Sequence, residues 1–251
     1  LELFELTDSD SKFLSNAPTT QYARLTDYGT FPFLNFVPNS TDKVTSITLK
    51  YYDSSDVQIG ADYVLNTTAN GGVAAVGGSN TMLNYFGGFP ANLDGWSATW
   101  DANKANISYY TIRDGNGDSV LYRINIICPN ERGYEGIRLT WLNQWGTWDY
   151  YTFNMKSTRS ITTNRIPYTQ QLNTGFVTEA EGVWFEELIN STEVYIVNGF
   201  STDTANTITN KYIDPVVLTT SSYVKKTIAN DKVMQYTIEI EKSKMQRTQS
   251  V

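Results

Sequence analysis

The fold of this chain is decided by one stretch, Gly136-Ile137-Arg138-Leu139-Thr140-Trp141-Leu142-Asn143-Gln144-Trp145-Gly146-Thr147-Trp148-Asp149-Tyr150-Tyr151-Thr152-Phe153. Side chains on both of its halves alternate with a period of two, and aromatic residues are frequent, which is typical of half-buried β-strands. Between the halves, Asn143 and Gly146 are residues that adopt positive φ at little cost, so the stretch turns there. The sequence therefore predicts an aromatic hairpin, and we expect the N-terminal domain to close around it.

The length and composition extend this prediction to the whole chain. A chain of 251 residues forms one large or two medium domains. Its abundance of Thr, Ser, Asn, Tyr and Gly favours strands and polar turns over helices. The predicted fold class is mainly β, with an antiparallel β-sandwich-like N-terminal domain and a smaller α+β C-terminal domain that contains one helix.

Changes in amino-acid composition along the chain predict the domain limits. We predict an N-terminal arm at 1–20, a sandwich-like domain at 21–157, a linker at 158–177 and the α+β domain at 178–251. The arm has two interpretations, packing on its own domain or lying on a neighbouring subunit. The polar, basic start of the linker region is also compatible with a long connecting strand. Glycine-rich residues 66–80 predict a long surface loop.

The helix prediction rests on a capping motif. Thr178 is followed three residues later by Glu181, which is the order of a capping box. Apolar residues at helical spacing follow it, namely Trp184, Phe185, Leu188 and Ile189. We therefore predict a helix at about 179–190, whose apolar side packs in the core and whose glutamates lie in solvent.

The charge balance disfavours several classes of partner. The chain has 19 basic and 26 acidic side chains and a formal net charge of −7. Nucleic-acid binding requires a basic surface that displaces counterions, and docking to anionic lipid requires a basic segment. No apolar run reaches the roughly 20 residues of a membrane-spanning helix. We therefore expect a soluble protein with neither a nucleic acid nor a membrane as its partner.

The sequence shows no catalytic constellation. Histidine is absent, which removes the commonest general base and metal ligand from the chain. The single cysteine, Cys128, follows an apolar run, and we interpret it as a small buried hydrophobic residue. No pair of carboxylates and no phosphate-binding glycine loop stands out. We predict no enzyme activity and no catalytic, cofactor-binding or metal-binding residues.

Two weaker patterns give alternative hypotheses. Asp114, Asn116 and Asp118 match the start of a calcium loop, but Asn125 stands where a bidentate glutamate is required. Aromatic residues on glycine-punctuated loops are compatible with a sugar-stacking platform, which would use Trp96, Trp100, Trp145 or Trp148. A carbohydrate- or receptor-binding β-sandwich on a virion or cell surface is therefore the alternative function.

The central hairpin also carries a family resemblance. The order Tyr122-Arg123-Ile124, then Cys128, then Arg138-Leu139-Thr140-Trp141-Leu142-Asn143, Gly146 and Trp148-Asp149 resembles a pattern in virion structural proteins of tailed bacteriophages. The resemblance covers about 105–245 and includes the basic stretch, the helix and the final strands, but not 1–100. Thr147 stands where the family has a second glycine, which is expected to alter the turn.

The resemblance implies a non-enzymatic component of the neck, tail or connector region of a phage particle. It implies copies of the same chain in a homo-oligomeric ring, contacts with other virion neck or tail proteins, and location in the virion after assembly in the host cytoplasm. Because ring symmetry repeats one heterologous contact, we expect the termini and the glycine-rich loop to supply the contact surfaces.

Overall fold

The computed structural model describes residues 13–34, 44–66, 73–74, 83–115, 117, 121–127, 136–161, 168–199, 213–220 and 235–242. The chain divides into two compact units. Unit 1 comprises Leu1–Glu131 and Trp145–Asp149, and unit 2 comprises Arg132–Gln144 and Tyr150–Val251. Strands dominate both units, so the prediction of a mainly β fold is confirmed.

Among its described residues, unit 1 has two sheets and two short helices. In chain order its elements are β1 (Thr20–Ala23), β2 (Phe31–Leu34), β3 (Ser46–Tyr52), β4 (Tyr63–Asn66), β5 (Val73–Ala74), β6 (Leu83–Phe86), α1 (Pro90–Leu93), α2 (Ala98–Asn103), β7 (Tyr109–Asp114) and β8 (Tyr122–Ile126). One sheet has the order β1-β8-β7-β3-β4 and the other β2-β6-β5. The larger sheet is mixed, because β1 pairs with β8 in parallel.

Aromatic side chains join the two sheets of unit 1. The ring of Phe13, which precedes β1, lies 3.8 Å from that of Phe33 in β2 and 4.4 Å from that of Tyr122 in β8. Phe31 stacks on Phe89 with ring centroids 4.7 Å apart. All of these rings are buried. Sheet-on-sheet packing through such alternating inward residues is what a sandwich-like domain requires.

Proline positions one strand of the smaller sheet. The sequence predicts that Pro32 lies at a sheet edge or a strand start, because proline cannot donate a ladder hydrogen bond. In the structure Pro32 is the second residue of β2, an edge strand in this sheet that pairs with β6. The prediction is confirmed.

Neither α1 nor α2 is predicted by the sequence: residues 86–90 and 93–96 are interpreted as glycine-punctuated loops, and no element is predicted at 98–103. Helix α2 begins after Ser97, whose hydroxyl accepts a hydrogen bond from Trp100 N at 3.2 Å. It has only six residues, which is too short for an apolar period to appear in the sequence.

Unit 2 is built on one large sheet and one helix. Its elements are β9 (Ile137–Leu142), β10 (Trp148–Phe153), β11 (Thr158–Ile161), β12 (Tyr168–Asn173), α3 (Glu179–Asn190), β13 (Val194–Val197), β14 (Ile213–Leu218) and β15 (Thr237–Lys242). The sheet has the order β10-β9-β13-β14-β15-β12-β11. The first two residues of β10 belong to unit 1 by the division above.

Helix α3 confirms the capping-box prediction. Glu181 N donates to Thr178 Oγ1 at 3.3 Å, and Thr178 N donates to Glu181 Oε2 at 2.7 Å. The helix buries Trp184, Phe185 and Leu188, as the apolar spacing predicts.

Two predicted boundaries differ from the structure. Strand β9 was expected to organise the N-terminal domain, but it pairs with β13 in the sheet of unit 2. The predicted linker 158–177 instead contains β11 and β12, which pair with each other, and β12 also pairs with β15. Both errors have one cause: alternation predicts a strand, but the partner of that strand is decided by residues far away in the chain.

Residues 1–12, most of the glycine-rich loop and residues 243–251 lie outside the described residues, so the contacts predicted for them stay predictions. Within the predicted arm 1–20, Phe13 and Leu14 are buried in unit 1, and Leu14 N donates to Pro32 O at 3.1 Å. The last residue of the predicted arm, Thr20, begins β1.

Candidate functional site

Most residues of the central hairpin motif are buried, whereas Leu142 and Trp148 are half-buried and Gly146 is exposed. Strand β9 was predicted to be half-buried, but all its residues except Leu142 are buried. Arg138 is 2% exposed, its Nη1 donates to Thr152 Oγ1 at 2.8 Å, and its guanidinium carbon lies 5.2 Å from the centre of the Tyr150 ring. An arginine so deeply buried has a structural role: through these contacts it holds β9 and β10 in position.

The opposite side of β9 packs on the helix. Trp141 is fully buried, and its ring centroid lies 4.9 Å from that of Trp184 in α3. Phe185 continues the cluster, with its ring 4.7 Å from Tyr151 and 5.8 Å from Tyr236. Each such ring buries roughly 150–250 Å². The tryptophan that is most specific to the motif therefore stabilises unit 2 and is closed to a ligand.

The turn of the hairpin has a fixed role as well. Gly146 has a φ of 75°, as predicted, whereas Asn143 is outside the positive-φ region. Thr147, which stands in place of the second glycine of the resembling family, is 1% exposed, and its hydroxyl donates to Leu14 O at 2.7 Å. A glycine could not make this bond, so Thr147 ties the turn to the residues that precede β1.

The four tryptophans considered as a sugar platform differ in their solvent exposure. Trp100 is fully buried, with its Nε1 donating to Asp94 Oδ1 at 2.9 Å and its ring 5.7 Å from Tyr51. Trp145 and Trp148 are half-buried, and Trp96 is 50% exposed. Of the four, Trp96 alone presents a largely open ring, whereas a platform needs several.

Of the residues considered for a calcium loop, Asp114 and Asn125 are described, and both contribute to the strands of unit 1. Asp114 is buried at the end of β7, and Asn125 lies in β8 with its Nδ2 donating to Gln21 O at 3.4 Å. Cys128, Asn116 and Asp118 are outside the described residues. Glu181 acts in the helix cap, as above.

An exposed surface that sequence reasoning missed lies on the outer side of the larger sheet of unit 1. The half-buried ring of Tyr52 stacks there on the ring of Tyr109, which is only 8% exposed, with the two rings 4.8 Å apart and 9° from parallel. The exposed Arg123 guanidinium covers Tyr109, 3.5 Å from the centre of its ring. Desolvation raises the pKa of Tyr109, with further contributions from Asp56. The register places Tyr22, which is 53% exposed, beside Asn125 in the same row.

We call this surface the tyrosine face; its defining residues are Tyr22, Lys50, Tyr52, Tyr109, Arg113 and Arg123. The sequence did contain a signal for it, because the outward residues of β3, β7 and β8 alternate regularly. What it lacked was the strand order that brings them together.

The described residues contain no group of three or more His, Cys, Asp or Glu side chains that could hold a metal ion. Within the same residues, none of the helices has both the length and the apolar character needed to span a membrane. Comparisons of the chain with protein-family models, with curated proteins and with solved structures find no match.

Proposed function

We propose that this chain is a non-enzymatic structural subunit of a tailed-bacteriophage particle, in its neck, tail or connector region, and that it assembles with copies of itself into a symmetric ring or tube. The proposal begins from the hairpin motif that resembles such virion proteins. The observation that carries it is the burial of that motif: Arg138 is 2% exposed, and Leu139 and Trp141 are fully buried. A motif whose side chains lie inside the protein supports a role in defining a scaffold.

The construction of the two units suits a building block. Unit 1 is held by rings packed between two sheets, and unit 2 by a seven-stranded sheet with a capped helix. Repeated copies of a rigid subunit that meet through two different surfaces close into a ring when the rotation between them permits. The proposed partners are therefore copies of this chain, together with other neck or tail proteins of a virion assembled in the host cytoplasm.

The test is the oligomeric state of the full chain. Native mass spectrometry and negative-stain electron microscopy over a rising series of protein concentrations should show closed rings or tubes with one dominant subunit number. A chain that stays monomeric throughout the series would contradict the proposal.

The alternative, a carbohydrate- or receptor-binding module, is supported by the half-exposed ring of Trp96. Sugar rings stack on exposed aromatic faces, so binding would quench the fluorescence of this residue. A glycan panel measured against wild type and Trp96→Ala separates the two functions. Saturable quenching that disappears in Trp96→Ala would favour the binding module, and no quenching across the panel would leave the structural subunit as the better account.

A further inference from the structure

The outward side chains of the two large sheets carry opposite charges. On the tyrosine face of unit 1 the charged strand residues are Lys50, Arg113 and Arg123, and no carboxylate points outward from these strands within the described residues. The neighbouring loops contribute Asp62, which pairs with Lys50 at 3.2 Å, and Asp56. Arg123 remains exposed while it stacks on Tyr109.

On unit 2, the side of the sheet that faces away from Ile238 and Ile240 carries glutamates. Glu239 and Glu241 alternate with these two buried isoleucines in β15, so they point to the opposite side. The register places Glu241 beside Val217, which is 55% exposed. We call this surface the glutamate face; it consists of Thr169, Gln171, Glu193, Val217, Glu239 and Glu241.

The register explains why Glu193 belongs to the same row. Val194 pairs with Val216, so Glu193, which precedes β13, lies beside Val217, which in turn lies beside Glu241. The Glu193 carboxylate accepts a hydrogen bond from the Tyr195 hydroxyl at 3.1 Å. Two carboxylates therefore flank one exposed apolar side chain.

Lys242, the cation in the same strand as Glu239 and Glu241, does not lie on the glutamate face. Lys242 pairs in register with Val216 and so lies on the other side of the sheet, where its Nζ donates to Asp214 Oδ2 at 2.7 Å. This bond lowers the pKa of Asp214. Within the described part of the chain, Glu239 and Glu241 have no ion-pair partner.

We propose that the tyrosine face of one copy docks on the glutamate face of a second copy of this chain. The inference rests on the proposed function, because it assigns the contact that would build the ring. Charge complementarity supports the second copy as occupant: a chain of net charge −7 repels its own copies except where a basic surface meets an acidic one. The two faces are different surfaces, so the contact is heterologous.

The chemistry of the two faces is also complementary beyond charge. The tyrosine face offers the exposed ring of Tyr22, the half-buried ring of Tyr52 and arginine, residue types that are enriched at the centres of protein interfaces. The glutamate face offers carboxylates that accept paired hydrogen bonds from arginine, and Val217 as an apolar neighbour. No metal, nucleic acid or lipid is needed for this contact.

Charge reversal tests the proposal. One full-length variant carries Arg113→Glu and Arg123→Glu, and another carries Glu239→Lys and Glu241→Lys. Because like charges would then oppose each other, each variant alone should need at least about tenfold more protein to assemble than wild type. An equimolar mixture of the two should assemble again, since each reversed face then meets an oppositely charged partner.

Matched controls carry the same kind of change on other surfaces. Lys104→Glu lies after α2, where Lys104 pairs with Asp94 at 3.1 Å, and Glu179→Lys lies in the first turn of α3. Both should assemble like wild type. Circular dichroism and thermal unfolding verify that every variant is folded, and a variant that fails this test is replaced by Arg123→Gln or Glu239→Gln, which should weaken assembly less but in the same direction.

The outcomes separate this inference from the proposed function. If wild type forms rings and the charge-reversed variants form them at the same concentration, the assigned contact is wrong while the proposed function stands. The same conclusion follows if both folded variants fail alone and their mixture also fails. If wild type remains monomeric at every concentration, both the proposed function and this contact are contradicted.

Discussion

The two units bury aromatic residues in different ways. In unit 1 two buried tyrosines are hydrogen-bonded to residues next to α1 and α2: the Tyr51 hydroxyl donates to Ser97 Oγ at 3.1 Å, and the Tyr110 hydroxyl donates to Gly88 O at 2.8 Å. In unit 2 the centre of the cluster around Trp184 is held by ring packing, and Trp141 Nε1 is buried without a hydrogen-bond partner in the described part of the structure. At the edge of this cluster the Tyr151 hydroxyl donates to Thr174 O at 3.2 Å.

The two kinds of contact hold neighbouring segments in position by different physical means. A buried hydroxyl that reaches one particular loop atom fixes the position of that loop, because leaving either group unpaired costs free energy. A packed cluster fixes a helix through shape and buried area instead. The residues next to α1 and α2 in unit 1 are therefore positioned by particular hydrogen bonds in addition to ring packing, whereas α3 in unit 2 is positioned chiefly by the volume of a few large rings.

The largest effect is expected from removing volume in unit 2. Trp184→Ala should lower the free energy of unfolding by about 3–5 kcal/mol, because it removes the ring that packs on Trp141 and leaves a cavity. Urea unfolding followed by circular dichroism measures the change. Val183→Ala is the matched control, since Val183 is 47% exposed in the same helix and its truncation should change stability by less than about 0.5 kcal/mol.

An intermediate effect is expected in unit 1 at alkaline pH. Burial raises the pKa of Tyr51 and of Tyr122, with Asp149 adding to the effect on Tyr122. Each hydroxyl contributes stability that is fully present below the unfolded-state pKa of about 10 and declines above it, because the unfolded chain releases the proton first. For each hydroxyl, the free energy of unfolding should therefore fall by about 1.4 kcal/mol for every pH unit above about 10, until the folded-state pKa of that hydroxyl is reached.

Urea unfolding at a series of pH values from 8 to 11 measures this slope. Tyr51→Phe and Tyr122→Phe each remove one ionising group, so each variant should lose stability less steeply than wild type above pH 10. Equal slopes in wild type and both variants would show that these hydroxyls do not govern the alkaline loss.

The smallest effect tests a single bond of unit 1. Tyr110→Phe leaves the packing of the ring intact and removes the hydroxyl that donates to Gly88 O, so we expect a loss of about 1 kcal/mol. Chemical denaturation gives the value. Tyr22→Phe, on a ring that is 53% exposed, should be nearly neutral, and equal losses in the two variants would show that bonding of buried hydroxyls does not distinguish unit 1.

Local features of the structure were predictable from local sequence. The helix at 179–190 followed from the capping box and the apolar spacing, the positive φ of Gly146 from its turn, and the edge position of Pro32 from its missing N–H. Each of these depends on residues within a few positions of one another, so their physical cause is contained in a short segment.

The site was less predictable than the elements. Arg138 was expected on the polar side of a half-buried strand, yet it is interior and bonded to Thr152. Hydropathy describes a side chain in isolation, whereas burial of a cation depends on the bonds that its neighbours offer. The tyrosine face was likewise not predicted: the alternation within each strand was readable, but the strand order that brings these strands together was not.

By itself, the sequence determined that this chain is mainly β, where its capped helix begins, and that its central hairpin is aromatic. Only the tertiary structure decided that β9 joins β13, that the supposed linker contributes two strands, and that basic and acidic residues collect on different sheet faces. The reason is physical: backbone propensities and caps act between near neighbours, whereas strand partners and the charge of a surface depend on which distant residues pack together.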